Sequence, residues 1–140
     1  MCTCITYTNG DFYFGRNLDL EYSFGEQVTV TPRRFPFSFR CLGKLETHYA
    51  MIGMATVMEG YPLYADAVNE KGLAMAGLNF PGNAFYPEPE EGTDSAASFE
   101  LIPWILGRCA SVKEAAALLK NARIVNLSFA EKVPPAPLHW

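Results

Sequence analysis

An α+β fold, with a pair of helices laid on a mostly antiparallel sheet, is what these 140 residues predict. Three observations carry that expectation. Apolar runs suited to strands fill the chain up to about Phe80. Two helix-start signals follow between Ser98 and Glu114, and a strand-like run then resumes in "RIVNLSF".

Taken in order, Cys2 to Thr8 alternate loosely and lead into Asn9-Gly10. That dipeptide is a strong two-residue hairpin signal, because both residues tolerate positive φ. The return strand runs from Asp11 to Asp19 with Phe12, Tyr13 and Phe14. Further strands are expected at Val28–Thr31, Ala50–Val57, Leu63–Asn69 and Leu73–Phe80. The small and sulfur-containing residues of "YAMIGMATVM" and "GLAMAGLNF" suit strands covered on both faces, where neighbouring layers approach closely. Asn69 to Gly72 reads as a tight hairpin turn with Gly72 at positive φ. The stretch "NAFYPEPEEGTDSAAS" is rich in proline, acid and glycine, which predicts an exposed loop. Ser98 is the expected cap of a helix to about Cys109, with Pro103 in its early turns, where a missing N–H costs least. Ser111 to Glu114 is a capping box for a second helix through Lys120. "VPPAP" then breaks the chain. Because "PLHW" follows a turn with no polar tail, further chain is expected beyond it in the natural protein.

Bulk properties narrow the class. One domain is the expectation for this length. An apolar content of 49% and an aromatic content of 14% exclude a disordered polar chain. The net charge of -4 offers no attraction to nucleic acid or an anionic membrane. No apolar run approaches the ~20 residues of a membrane helix. The start lacks a basic n-region and is broken by Thr3, Thr6, Thr8, Asn9 and Asp11, unlike a signal peptide. A cytoplasmic location is therefore expected, with Cys41 and Cys109 as buried thiols rather than disulfide partners. No metal site is expected either. Cys2 and Cys4 have no recurring CxxC, and the two histidines, His48 and His139, are distant in sequence.

The chemistry concentrates in the first twenty residues. Removal of Met1 would make Cys2 the N-terminal residue, with a thiol as nucleophile and an α-amine of pKa about 7.7–8.0 as base. One residue then does what a Ser–His pair does elsewhere. A hairpin folded at Asn9-Gly10 returns Arg16 and Asp19 toward Cys2. With a strict two-residue turn Cys2 faces Asn17 and Arg16 points to the other face. A bulge at Gly15 would restore Arg16 to the face of Cys2 and Cys4. A guanidinium beside a thiol favours the thiolate. Asp19 would hold the new ammonium group or orient the arginine, or simply form a strand-end ion pair.

Taken together, "MCT", "FGRNLDLEYSFGE", "TPRRFPFSFR", "NEKGLAMAGLNFPGN" and "PLHW" resemble the choloylglycine hydrolase family of bile salt hydrolases and penicillin V acylases. The likeness is collinear and spans essentially the whole chain. It implies an N-terminal nucleophile hydrolase with an αββα four-layer sandwich. Residues 1–140 would be the N-terminal part of one such domain, so that the sandwich is incomplete. By position, the resemblance makes Cys2 the nucleophile, Arg16 the arginine beside the thiol that also touches substrate, and Asp19 the partner of the N-terminal cysteine. Asn79 would serve the oxyanion and leaving-group region. A further oxyanion asparagine and a second arginine of the family have no counterpart here. Cys4 stands where a small residue is usual. Leu18, Met58, Ala65 and Leu127 resemble pocket-lining positions, although each reads equally well as core.

The implied reaction is hydrolysis of glycine- or taurine-conjugated bile salts, with no metal or organic cofactor and a homotetramer for the full-length protein. Asn79 at its Gly-Leu-Asn-Phe-Pro position leans toward bile salts. Two other readings stand beside it: an acylase of penicillin V or acyl-homoserine lactones, and a fragment that keeps the fold without activity.

Overall fold

A computed structural model of the chain describes residues 2–140. Its first element is the hairpin of β1 (Thr3–Asn9) and β2 (Asp11–Asn17). A four-stranded antiparallel sheet follows, in the order β3 (Gln27–Thr31), β6 (Met51–Met58), β7 (Tyr61–Asn69), β8 (Ala74–Ala76). Between β3 and β6 lies the small hairpin of β4 (Phe37–Phe39) and β5 (Gly43–Leu45), which the sequence reading did not anticipate. Its alternating "FSF" is too short to register as a strand by pattern alone.

The expected strand Leu73–Phe80 is divided into β8 and β9 (Leu78–Asn79), because Gly77 leaves the ladder. The loop expected before Ser98 ends in a real strand, β10 (Asp94–Ala97). That strand pairs in parallel with β11 (Ala122–Val125), which is shorter than the expected "RIVNLSF" run. Pro87 ends that run by taking the N–H of Asn126 on its carbonyl oxygen at 2.9 Å. The last strand, β12 (Leu138–His139), pairs with β9.

The two helices form where expected but begin differently. A 3-10 turn, Ser98–Glu100, precedes α1 (Leu101–Arg108). Ser98 is not the cap, for Glu100 reaches back and accepts the N–H of Ala97 at 3.0 Å. In α2 (Val112–Leu118) the Ser111 hydroxyl does cap, accepting the Glu114 N–H at 3.3 Å. The Glu114 carboxylate takes the N–H of Ala110 at 2.7 Å, one residue before the position a capping box specifies.

Helix α1 is apolar nearly all round, and every residue before Arg108 is buried. It packs on one face of the sheet, where Met51, Ala55, Tyr64 and Ala67 meet Ile102, Trp104, Ile105 and Leu106 together with Phe37 and Phe39. Asn69 ties that layer down. Its Nδ2 donates to the carbonyls of Leu106 and Cys109 at 2.8 and 2.7 Å, two of those the helix end leaves unpaired. Its Oδ1 accepts Lys71 and Leu73 N–H groups, closing the expected turn with Gly72 at φ 85°. Cys109 is buried as anticipated, whereas Cys41 is exposed on the β4–β5 hairpin side. No helix among the described residues is long and apolar enough to cross a membrane.

The opposite sheet face carries Asp66, with exposed Val28, Val30, Ile52 and Val68 in register beside it. On the α1 face, opposite Ala67, Gly53 is obligatory, since a Cβ would lie 2.0 Å from the carbonyl oxygen of Asp66 and 2.8 Å from the Ala67 Cβ.

At the far end of β7, Glu70 accepts Arg33 Nε on both oxygens at 2.9 Å and the Ala50 N–H at 2.9 Å. The arginine bonds, followed by the backbone bond, pull its carboxyl down to about 2. A carboxyl lowered in the folded state stabilises above its ordinary value and loses that contribution as the pH falls. Stability should therefore decline between pH about 4.5 and about 2, and Glu70→Gln should flatten that slope in acid-unfolding curves.

Candidate active site

The hairpin register decides where Arg16 points. The ladder runs unbroken from Thr3↔Asn17 through Cys4↔Arg16 to Asn9↔Asp11. Gly15 therefore carries no bulge, and Arg16 reaches the Cys4 face by another route. The turn centres on Gly10 at φ 74°, while Asn9 keeps a negative φ. A two-residue turn with both positions at positive φ is thus not adopted, and the whole ladder shifts by one residue. Directly opposed residues share a face, so Arg16 lies on the face of Cys4 and, two residues earlier, Cys2.

From there the Arg16 side chain, 6% exposed, reaches across to the four-stranded sheet. It donates to Asp66 Oδ2 at 3.3 Å and to the carbonyl oxygen of Gly77 at 2.6 Å. Asp66 also accepts the N–H of Met54 at 3.2 Å. That contact sits at a β-bulge, where pairing jumps from Met54↔Asp66 to Ala55↔Tyr64 and leaves Ala65 as the extra residue. Ala65 then accepts the Gly77 N–H at 2.8 Å. Bulge, glycine and arginine are thereby linked through one short chain of hydrogen bonds. Asp66 was missed in the sequence. Its only signal there is a single acid inside the apolar run "YADAV".

Beside this anchor opens a mostly apolar cleft of about 450 Å³. Cys2, half-buried, lines it together with Leu18, Met58, Ala65 and Asn79. Arg16 and Asp19 do not line it, and neither does Leu127. Leu127 is misplaced because β11 ends at Val125 and the chain folds back there, the Leu127 N–H bonding to Val125 O at 2.9 Å. Phe129, two residues on, takes the wall position instead. Asp19 is exposed, two residues past the end of β2. Met1, whose removal would free Cys2, lies outside the described residues.

Other wall residues were not singled out in the sequence, among them Leu20, Phe24, Phe99 and Leu138. Glu26 stiffens the rim by accepting the Ser23 hydroxyl at 2.6 Å and the Phe24 N–H at 3.0 Å. Those bonds hold its carboxyl below the usual range, the serine bond first. No cluster of His, Cys, Asp or Glu suited to a metal occurs among the described residues.

Asn79 is held by the chain's last strand, through Leu138↔Asn79 pairing and a 2.7 Å bond from Phe80 N–H to Pro137 O. The Tyr86 hydroxyl clamps that strand. It accepts the Leu138 N–H at 2.8 Å and lies 3.0 Å from the carbonyl oxygens of Ala136 and Leu138. Tyr86→Phe should cost about 1–2 kcal/mol in urea unfolding, because the Leu138 N–H loses its acceptor.

Residues 2–140 match the family of linear amide C–N hydrolases of the choloylglycine hydrolase type. Among curated relatives, the "bile salt hydrolase/transferase" of Lactiplantibacillus plantarum is 49% identical over the whole chain, which covers 43% of that protein. The "conjugated bile acid hydrolase" of Lactobacillus gasseri is 41% identical, again over the whole chain, which covers 45% of it. Among solved structures, a mutant conjugated bile acid hydrolase from Clostridium perfringens superposes with a TM-score of 0.93 at 39% identity, over the whole chain and 44% of that one. A penicillin V acylase from Agrobacterium tumefaciens, at 20% identity over 89% of this chain and 39% of that one, shares the fold with a TM-score of 0.69. The chain thus spans less than half the length of these relatives.

Proposed function

We propose, for a chain that belongs to the choloylglycine hydrolase family of linear amide C–N hydrolases, that it cleaves the amide bond of glycine- or taurine-conjugated bile salts with Cys2 as nucleophile. The observation that carries this reading is a thiol one residue behind the initiator, lining an apolar cleft that Asn79 also lines. The apolar walls, Leu18, Met58 and Ala65 among them, suit a rigid hydrocarbon body. Relatives whose names specify bile salt hydrolysis support the same substrate class.

In the mechanism, removal of Met1 frees the Cys2 amine, and Asp19 holds the resulting ammonium group. The thiolate adds to the amide carbonyl, and the oxyanion takes hydrogen bonds from preorganised donors that include the Asn79 side chain. Collapse breaks the C–N bond. The Cys2 ammonium protonates the departing glycine or taurine, leaving a thioester. The amine, neutral again, deprotonates a water that attacks the thioester and releases the bile acid and the thiol. Arg16 keeps a fixed positive charge on the Cys2–Cys4 face throughout, anchored by Asp66. No cofactor enters any step. Cytoplasmic residence and assembly as a homotetramer belong to the same reading.

The test combines intact mass with product analysis. Chain lacking Met1 should release glycine from glycocholate and taurine from taurocholate faster than it cleaves the side-chain amide of penicillin V. Preferential turnover of penicillin V would transfer the assignment to an acylase. No release from any of the three by chain with a free Cys2 amine would overturn it in favour of a fold-bearing, inactive segment.

A further inference from the structure

We infer that Arg40, outside the cleft, is a positioning residue that latches the cleft's aromatic wall and so sets how tightly the apolar body of the substrate is held. The substrate part rests on the bile salt reading above. The wall consists of Phe99 and Phe129, which meet edge to face with centroids 5.3 Å apart. Phe99 sits in the 3-10 turn before α1 and is fixed by the buried helix that follows. Phe129 has no such support. It lies between β11 and β12 in a segment whose bonds are largely its own, Phe129 N–H to Val133 O at 3.1 Å and Val133 N–H to Ala130 O at 2.9 Å. Its ends are tied by Pro87 and Tyr86, and the middle needs a separate anchor.

Arg40 supplies that anchor. Its guanidinium donates to the carbonyl oxygen of Phe129 at 2.6 Å, and its Cζ stands 6.0 Å from the ring centroids of both Phe99 and Phe129. One planar cation thus bonds the backbone of Phe129 and binds the faces of both rings. Arg40 is itself fixed from behind, since its N–H donates at 2.7 Å to Glu100, a carboxylate with no exposed surface. Tyr61 completes the backing, with its ring 5.9 Å from Phe99 and 5.7 Å from Phe129. Glu100, Arg40 and Phe129 therefore form a strut from the protein core to the outer wall of the cleft. Replacing the Arg40 side chain leaves its backbone bond to Glu100 in place, so the strut can be cut without disturbing its base.

The experiment uses the 140-residue chain with Cys2→Ala, so that ligand is bound and not consumed, in two readouts. First, amide hydrogen exchange at Phe129 and Val133 should accelerate about 10-fold in Arg40→Ala, while Ile105 and Leu106 in α1 keep their rates. Arg40→Lys, which keeps a cation but not the planar fork, should fall between. Second, glycocholate binding by calorimetry should weaken about 10-fold in Arg40→Ala and recover in part in Arg40→Lys. Unchanged exchange at Phe129 and Val133 overturns the latch, whatever the ligand does. Faster exchange without weaker binding overturns its role in holding substrate. Failure of the parent chain to bind glycocholate at all overturns the bile salt reading, with the latch still decided by exchange.

Discussion

Cys2→Ala should reduce amide hydrolysis of glycocholate by roughly 10⁴-fold or more, to the level of background, with the fold intact. The loss is this large because alanine keeps the α-amine base but removes the nucleophile, so no thioester can form. Cys2→Ser also keeps the amine and exchanges the thiol for a hydroxyl. A hydroxyl is the weaker nucleophile at neutral pH, so slow turnover should survive where alanine shows none. Cys2 is half-buried and lines an apolar cleft, a site where alanine fits without strain. Circular dichroism and the urea midpoint should accordingly match the parent within error. Substantial turnover by Cys2→Ala, measured as free glycine, would remove Cys2 from the mechanism.

Asp66→Ala should destabilise the chain by about 3 kcal/mol, a large share of the about 5–15 kcal/mol typical of a domain. The deletion strands the Arg16 guanidinium in a site where its side chain is only 6% exposed, and removes the acceptor of the Met54 N–H. Asp66→Asn, which keeps oxygen acceptors but not the charge, should cost less. The double variant Arg16→Leu with Asp66→Ala should recover part of the loss, since a removed pair leaves no unpaired charge. Urea unfolding of the four proteins checks the cycle. If the two single changes add without coupling, the 3.3 Å contact between Arg16 and Asp66 contributes nothing to stability.

The strands and helices were legible because each depends on neighbours close in sequence. The Ser111 cap, the Gly72 turn and the apolar runs of β6 and β7 follow from propensity and periodicity and appear with boundaries shifted by at most two residues. The division of Leu73–Phe80 at Gly77 was not legible. It arises from the Ala65 bulge and the Arg16 side chain, both far away in the chain. Leu127 failed as a wall residue for a similar reason, since a bond to Pro87 ends β11 and moves the apolar side chain that faces the cleft two places on.

The hairpin draws the line most clearly. Local chemistry in the first twenty residues determined that a cysteine behind the initiator would be brought near an arginine by a turn at Asn9-Gly10. Which face the arginine took depended on the turn's centring on Gly10, a one-residue difference that propensity does not resolve and that inverts every side chain of a strand. Its carboxylate partner, Asp66, lies 50 residues downstream. Composition and turn signals set what each segment can form, because they act over a few residues. The packing of hairpin on sheet selected the ion pair and the cleft, because burying a guanidinium requires an acceptor that only another layer of the fold provides.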